Sequence, residues 1–432
     1  MRPVDRPAVV EDIEDERRHV PLLKQLGPGL ITGAADDDPS GIATYSQAGA
    51  QFGYGLLWTL VLTYPLMSAV QLVSAHIGRV TGAGLASNLR QALPTRLVAG
   101  LIAILVAANM INIGADLAAM GAATKLVAGG SQRLLVIGYA LLCVVLQLFV
   151  PYRQYARLLK WLTLSLFAYV GVVLLVQIDW PDALLGLVWP RELGAAALLT
   201  IVAVFGTTIS PYLFFWQSAQ EAEELATTGT RPIRRSPRSA PRQYRRMRFD
   251  TLLGMAFSNL VAIAIMLATA ATLHRQGVTQ IDTAAQAAEA LRPVAGEFAF
   301  ALFAAGIIGT GLLAVPVLAG SAAFAVAEIF GWKEGLEYKP QQAAGFYSIV
   351  VLATAMGILI DWSNLDPMKA LFWSAVLNGL AAVPIMAAMM VVASRRKVMG
   401  KFVERRGLLF FGWAATAVMA AASAAMLVSL AS

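Results

Sequence analysis

The sequence is poor in the residues on which most redox and hydrolytic chemistry depends. Its 432 residues include one cysteine, Cys143, and only three histidines. A single cysteine cannot form an internal disulfide, and Cys143 lies in an apolar run where a buried thiol is expected. We also find no CxxC pair, no nucleophile triad and no glycine-rich phosphate loop. The sequence therefore predicts neither an enzyme nor a bound cofactor.

Charged residues are also scarce, at 14% of the chain against 58% hydrophobic residues. Soluble domains carry roughly 25% charged residues, so this composition predicts an all-α polytopic membrane protein embedded in a lipid bilayer. Apolar runs recur at about the 20 residues that span a bilayer. They predict eleven spans, near 25–50, 55–78, 97–124, 133–150, 157–178, 194–218, 249–273, 297–325, 341–360, 367–393 and 408–430.

The distribution of positive charge predicts the orientation. Residues 1–24 form a polar tail without a cleavable signal. If this tail is cytoplasmic, the arginine-rich loops fall inside, including 219–248 with eight arginines and 394–406. Cytoplasmic loops carry such an excess, so we predict a plasma (inner) membrane protein with its N-terminus inside and its C-terminus outside. The net charge of +7 then needs no nucleic acid, and the 219–248 loop is expected to be a flexible linker.

Three carboxylates interrupt the first span at Asp36, Asp37 and Asp38, followed by Pro39-Ser40-Gly41. Proline removes a backbone donor and glycine frees the backbone, so a helix should break here. Broken helices at membrane depth line a cavity or pack inside protein. Intramembrane acids are costly and mark functional sites.

The sixth span carries a second break, at the stretch Gly206-Thr207-Thr208-Ile209-Ser210-Pro211. Spans one and six are thus interrupted at matching depth, five spans apart. This arrangement predicts a transporter with an inverted repeat of five plus five helices and a site at the membrane midplane. Repeat one covers about 25–178 and repeat two about 194–393 of a single transporter domain, 25–432, with an extra helix near 408–430.

Other polar residues in the spans are weaker candidates. Asp116 shares one face of span three with Asn109 and Asn112, either lining the pathway or bonding neighbouring helices. Gln217 and Glu221 share a face at the end of span six. They either line an ion exit or belong to a helix end already in water.

The chain resembles the NRAMP family of divalent-metal transporters. The resemblance rests on GPGLITGAADDDPSGIATYSQAGAQFGYGLLW, HIGRVTGAGLA, NIGADLAAMGAAT, FGTTISPYLFFWQS and FALFAAGIIGTGLLAVPVLAG. It implies eleven spans in a LeuT-like fold, with a metal held between the two broken helices. It also implies that Asp38 is the ligating aspartate, with Asp36 and Asp37 at positions that are usually apolar or aromatic in the family.

The departures from the family pattern concern its metal ligands and proton carriers. The family's ligating asparagine is Gly41 here, and its Met-Pro-His in span six reads Ser210-Pro211-Tyr212. At the position of a second family histidine this chain has Gln217, and at that of the family's glutamate in span three it has Ala119. At the position of the ligating glutamine of span ten it has Ala375, with Asn378 one turn further on. Without methionine sulfur the site has only oxygen ligands, which suit hard Mg²⁺. The pattern is similar to the NRAMP-related magnesium branch, described as lacking proton coupling.

We therefore predict alternating-access transport of a divalent cation, Mg²⁺ or else Mn²⁺, without proton coupling, by a monomer. Asp38, Ser40, Gly41, Thr207 and Ser210 would hold the ion, with Asp36, Asp37, Asp116, Gln217, Glu221 and Asn378 in an outer shell or pathway. Two alternatives remain. One is a proton-coupled Mn²⁺/Fe²⁺ importer, which the retained Asp38 and Asp116 favour, and the other is an amino-acid symporter on the same fold. Three aspartates would repel the substrate carboxylate of such a symporter.

Overall fold

The structure is a computed structural model that describes residues 27–150, 164–361 and 366–431. Within these ranges every regular element is a helix. In chain order the α-helices are α1 Pro28–Asp36, α2 Pro39–Phe52, α3 Leu57–Thr81, α4 Leu85–Ala92, α5 Thr95–Ala128, α6 Gln132–Phe149, α7 Phe167–Leu175, α8 Trp180–Val188, α9 Ala195–Thr208, α10 Pro211–Thr227, α11 Ala240–Thr272, α12 Ala284–Glu289, α13 Arg292–Ala295, α14 Ala299–Phe330, α15 Ala344–Asp361, α16 Pro367–Ser394, α17 Arg396–Met399 and α18 Arg406–Ala431.

The predicted all-α membrane fold is confirmed. In the described ranges, eight helical segments are long and apolar enough to cross a membrane, one of them α9 and α10 taken together. The predicted first span is divided between the shorter helices α1 and α2, and α15 is a shorter apolar helix. Part of the predicted fifth span lies outside the described residues, and α7 covers its second half.

Both predicted helix breaks are present. The first lies between Asp36 and Pro39, and the second lies between Thr208 and Pro211. The second half of each broken helix begins with proline at its first position, where a missing N–H costs nothing. The first break therefore places an aspartate, and the second break a serine, at the N-cap position of a half-helix deep in the bundle.

Glycines bring the broken helices against unbroken ones. A Cβ on Gly254 of α11 would lie 2.3 Å from the backbone oxygen of Gly29 in α1. In the same way, a Cβ on Gly206 of α9 would lie 2.0 Å from the backbone oxygen of Ala375 in α16. Only glycine permits such approaches. The first half of each broken helix is thus held by backbone contact, and the breaks between the halves lie deep inside the bundle.

The arginine-rich loop is shorter and more ordered than predicted. Helices α10 and α11 continue into it, since its Ala, Gln, Glu and Arg residues favour helix, and only 228–239 connects them. Ile233 is buried, and its N–H donates to the Arg79 oxygen at 3.0 Å. The expectation of a flexible linker was therefore wrong, because this segment packs on the end of α3.

Candidate functional site

Asp38 is the N-cap residue of α2, and its carboxylate serves that helix end. Its Oδ1 accepts from the Gly41 N–H at 2.9 Å and from the Ser40 hydroxyl at 2.6 Å. Aspartate followed by proline is a strong helix start, because the carboxylate satisfies free N–H groups and proline supplies the helical φ. The local sequence Asp-Pro-Ser-Gly therefore holds the Asp38 carboxylate at the break.

The other carboxylate oxygen of Asp38 faces two further helices. Oδ2 accepts from the Asn112 amide of α5 at 3.0 Å and from the Tyr212 hydroxyl of α10 at 3.3 Å. Asn112 is held in turn by Ser374 of α16, whose hydroxyl donates to its Oδ1 at 2.7 Å. Asp38 therefore joins α2, α5 and α10 at one buried point.

The two breaks meet beside Asp38. The Ser40 and Thr207 hydroxyl oxygens lie 3.3 Å apart, and a Cβ on Gly41 would lie 3.2 Å from Thr207 Oγ1. Glycine at 41 thus leaves room for Thr207. Ser210 occupies the N-cap position of the second half-helix without a side-chain hydrogen bond to it. Its single hydroxyl proton is shared between the backbone oxygens of Gly206 and Thr207, which lie at 2.7 and 2.9 Å. The lone pairs of the Ser210 oxygen therefore remain available to another partner.

The remaining predicted residues separate into three groups. In the first group, the Asp36 and Asp37 carboxylates both lie within hydrogen-bonding distance of the Ser258 hydroxyl of α11. The second group is Asp116 and Asn378, and the third is Gln217 and Glu221. Asp116 and Asn378 are fully buried, and their side-chain oxygens have no hydrogen-bond partner in the part of the chain that the structure describes. The structure therefore does not join these last two to Asp38 by a hydrogen bond.

Gln217 and Glu221 belong to an ionic network further along α10. Gln217 accepts from the Thr32 hydroxyl and donates to Glu221 Oε1 at 3.0 Å. Glu221 pairs with Arg79 at 2.5 Å, and Arg79 also pairs with Glu224. Arg246 of α11 completes the network by pairing with Glu224. These residues link α1, α3, α10 and α11 rather than contacting Asp38.

Three residues of the site escaped the sequence reasoning. Asn112 was recognised only as part of a polar face with Asp116, and Tyr212 only as a lost histidine. Ser374 was not considered. The signal for Asn112 was available, since polar residues recurring on one face of an apolar span imply a shared partner.

The site is rich in buried carboxyl groups. Asp36, Asp37, Asp38 and Asp116 are all buried, and no Lys, Arg or His pairs with them in the described ranges. Buried carboxylates without a counter-charge are costly. Among the described residues no group of three or more His, Cys, Asp or Glu is arranged to hold a metal. Oxygens, amides and water would therefore complete any cation shell.

A cavity of about 310 Å³ lies on the α2 side of the bundle, and none of the described residues that contact Asp38 line it. Its wall includes Ala43, one turn from Ser40, together with Thr200 of α9. On the α1 side, Asp250 of α11 accepts from three backbone N–H groups at the start of α1, at 2.7–3.2 Å. A cavity thus lies one helical turn from Ser40 on one side of the site, and the capped α1 and the ionic network cover the other side.

Two interrupted helices that meet at a buried polar centre inside a membrane-spanning bundle define a secondary transporter. Within that class, the family model described as natural resistance-associated macrophage protein-like (Nramp) matches residues 29–429. The chain therefore belongs to the Nramp family, whose members are transporters and not enzymes.

Curated relatives and solved structures agree with this assignment. A divalent metal cation transporter MntH of Klebsiella pneumoniae is 28% identical over 408 residues, 92% of each chain. A MntH of Yersinia pestis is 28% identical over 421 residues, 94% of this chain and 95% of its own.

Among solved structures, a manganese transporter of Eremococcus coleocola has TM-score 0.74 at 18% identity, covering 99% of this chain and 88% of its own. A nucleobase-cation-symport-1 family transporter has TM-score 0.60 at 14% identity, covering 94% and 92%. Both likenesses support the fold alone, a LeuT-like transporter architecture.

Proposed function

We propose that this protein transports a divalent cation by alternating access, with Mg²⁺ as the preferred ion and Mn²⁺ as the second. The observation that carries the proposal is the surroundings of Asp38 between the two breaks. Its hydrogen-bond partners come from serine, tyrosine, asparagine and backbone. Thr207 of the second break contacts its partner Ser40, and the Ser210 hydroxyl contacts the backbone oxygen of Thr207. Hard cations prefer such oxygen ligands, whereas thioether sulfur favours softer metals.

Asp38 anchors the ion in this proposal, and the other residues fill its shell. Ser40, Thr207 and Ser210 offer hydroxyl oxygens, with backbone near Gly41 adding carbonyl ligands partly through water. Mg²⁺ keeps several waters and typically uses one or two carboxylates. Gly41 and Ser210 are small, and they leave space for those waters. Asp116 and Asn378 would act further along the pathway.

The cavity and the covered side support alternating access. With the N-terminus cytoplasmic, the cavity beside α2 opens outward and the Arg79–Glu224–Arg246 network closes the inner side. Separation of this network and release of α1 from Asp250 would open the inner side. The protein would lie in the plasma membrane and act as a monomer.

We further propose uniport without proton movement. No histidine lies at 212 or 217, and no glutamate at 119, so the route lacks a histidine that would titrate near neutral pH. The membrane potential alone drives a divalent ion inward with about 2.3 kcal/mol per charge per 100 mV. A proton-coupled Mn²⁺ importer is the second candidate, favoured by the buried Asp116 and by the manganese named for a relative of similar fold.

One experiment separates these candidates. Proteoliposomes containing a pH dye receive Mg²⁺, Mn²⁺, Ca²⁺ or, in a separate sample, a mixture of amino acids, with the membrane potential clamped. Uniport predicts metal uptake without acidification, with Mg²⁺ preferred over Ca²⁺. Stoichiometric acidification would establish the proton-coupled importer instead. Absence of metal uptake, with uptake of an amino acid, would point to the symporter.

A further inference from the structure

The pair Asp36–Asp37 is a part of the bundle in which two adjacent buried carboxyl groups lack a basic partner. The two side chains are 0% and 6% exposed. In the part of the chain that the structure describes, no basic side chain pairs with either. A buried carboxylate in a membrane protein requires a counter-charge or a proton. The pair therefore has to be neutralised by something other than a protein cation.

One hydroxyl serves both carboxylates. Ser258 Oγ lies 2.6 Å from Asp36 Oδ2 and 3.1 Å from Asp37 Oδ1. A serine has a single proton and two lone pairs, so it satisfies only one of these oxygens fully. The second contact brings two electron-rich oxygens together. Three oxygens thus converge on one small region from two helices.

The second oxygen of Asp36 points independently to a ligand. Asp36 Oδ1 is buried and has no hydrogen-bond partner among the described residues. Asp38, two residues later, differs, because both of its oxygens have donors: the Ser40 hydroxyl and the Gly41 N–H at Oδ1, and the Asn112 amide at Oδ2. The Tyr212 hydroxyl is shared between Asp38 Oδ2 and the Ala35 backbone oxygen. Buried polar atoms are normally satisfied, and an exception requires an explanation such as an ion. Coordination of a cation would satisfy this oxygen.

The geometry around Ser258 is held by the backbone. Asp250, Gly254 and Ser258 are spaced four residues apart and share one face of α11. Asp250 accepts the N–H groups at the start of α1, and Gly254 contacts the Gly29 backbone. The contacts that Asp250 and Gly254 make with α1 therefore fix the distance between Ser258 and the end of α1. Such preorganisation is what a binding site requires.

We propose that Asp36, Asp37 and Ser258 form a second site for a hard divalent cation, on the α1 side of the ion at Asp38. Two carboxylates and a hydroxyl, completed by water, match the ligands that Mg²⁺ uses. Adjacent ions repel each other, which keeps each bound weakly enough to leave. The inference rests on the proposed transport of divalent cations, and it adds a staging site on the path past α1.

The test measures the number of bound ions. Purified full-length protein in nanodiscs is stripped of metal and titrated with Mn²⁺, with free Mn²⁺ followed by electron paramagnetic resonance. The variants are the double substitution Asp36→Asn/Asp37→Asn, the single substitution Asp38→Asn, and Asp182→Asn on the peripheral helix α8 as a matched control. We expect about two ions per chain for wild type and control, and about one for each site variant. Mg²⁺ should compete at both sites.

Two results overturn the second site. One is a wild-type chain that binds a single ion, lost in Asp38→Asn and kept in the double variant. The other is a double variant that binds as many ions as wild type, as expected if protons neutralise the pair. Both leave the proposed function intact when proteoliposomes still take up metal. Failure of wild type both to bind and to take up any divalent ion would overturn the proposed function itself.

A further variant covers a failure of the double substitution to fold. Ser258→Ala removes one oxygen and keeps both carboxylates. Loss of a supporting group typically weakens a metal site about 10–100-fold. We expect the second Mn²⁺ to bind at least about 10-fold more weakly and the first to bind as in wild type. Two unchanged affinities would overturn the assignment.

Discussion

At the scale of the residue, most of the polar groups that surround the Asp38 carboxylate can reorient. Ser40 and Tyr212 bear hydroxyl groups that rotate between donating and accepting, and the Asn112 amide offers either an oxygen or a nitrogen. Only the Gly41 N–H is a fixed donor. In the proposed transport cycle, a cation would replace part of this shell while the carboxylate stays in place. Such a shell favours an ion that keeps some of its water.

The first prediction concerns Asp38→Asn, which keeps the size of the side chain and removes its charge. Losing even a supporting group costs a metal site about 10–100-fold in affinity, so losing the anchoring carboxylate should cost at least 100-fold or so. Uptake of ⁵⁴Mn²⁺ into proteoliposomes checks this. Asp182→Asn should leave uptake unchanged. Near-normal affinity in Asp38→Asn would place the ion elsewhere.

The second prediction concerns the choice of metal at Ser210. Ser210→Met adds a soft thioether beside the second break, and soft ligands favour Cd²⁺ over Mg²⁺. Calorimetry should show the Cd²⁺ to Mg²⁺ affinity ratio rising by about 10-fold or more. Ser210→Ala removes the hydroxyl without adding sulfur and should not raise this ratio. An equal rise in both variants would mean that lost space or polarity, rather than sulfur, sets the preference.

How far the site could be predicted depends on how local its contacts are. Asp38, Ser40 and Gly41 are one helix start, so their mutual contacts follow from the Asp-Pro-Ser-Gly sequence. Asn112 and Tyr212 reach Asp38 from positions 74 and 174 residues away. Such contacts depend on which faces of the helices meet, and a single sequence does not specify that.

At the scale of the helix, glycine contacts decide how closely the broken helices approach their neighbours. The third prediction is that Gly254→Ala destabilises the protein, because a methyl group there would lie 2.3 Å from the Gly29 oxygen. Overpacking of this kind costs about 1–3 kcal/mol. The measurement is the apparent Tm by size-exclusion chromatography after heating.

Gly138 provides the matched control on α6. A Cβ on Gly138 meets nothing within 4 Å, so Gly138→Ala should leave stability unchanged or raise it by about 0.4–1 kcal/mol. If both substitutions behaved alike, the close contact between α1 and α11 would not limit stability.

The fourth prediction concerns the connection between α14 and α15, which carries Glu334. Burial, with Glu328 and Glu223 nearby, raises the pKa of Glu334 from 4.5 to about 9. The folded state therefore holds this proton more tightly than the unfolded state, and stability falls as pH rises from about 4.5 toward 9. Glu334→Gln should flatten this fall in apparent Tm. Exposed Glu337→Gln on the same segment is the control, and equal slopes in all three proteins would contradict the assignment.

Helix breaks were easier to predict than helix ends. Proline and glycine mark the breaks at Pro39 and Pro211 because they change the backbone itself. The ends of α10 and α11 were misplaced because charged residues were taken as loop, although Glu, Gln and Arg are good helix formers beyond the membrane. Hydropathy indicates where the chain leaves the lipid bilayer. It does not indicate whether the helix continues into water beyond that point.

At the scale of the whole molecule, the two sides of the site differ in how they are closed. The α1 side is held by charge, through Arg79, Glu221, Glu224 and Arg246, and by the Asp250 cap. The α2 side carries the cavity, with the exposed pair Lys369–Asp282 at 3.0 Å in its wall. Exposed pairs are weak, whereas the buried network has to separate as a unit. Opening of the α1 side should therefore be the more costly step.

The last prediction concerns orientation, which follows from the bias of positive charge between the two sets of loops. Cytoplasmic loops of membrane proteins retain Lys and Arg, so the arginines between α10 and α11 should lie inside. Arg235 there, and Arg275 in the next connection, are both exposed. We expect Arg275→Cys, in a Cys143→Ser background, to react with a membrane-impermeant maleimide on intact cells. Arg235→Cys should react only after permeabilisation. The reverse pattern would invert the topology and assign the cavity beside α2 to the cytoplasmic side.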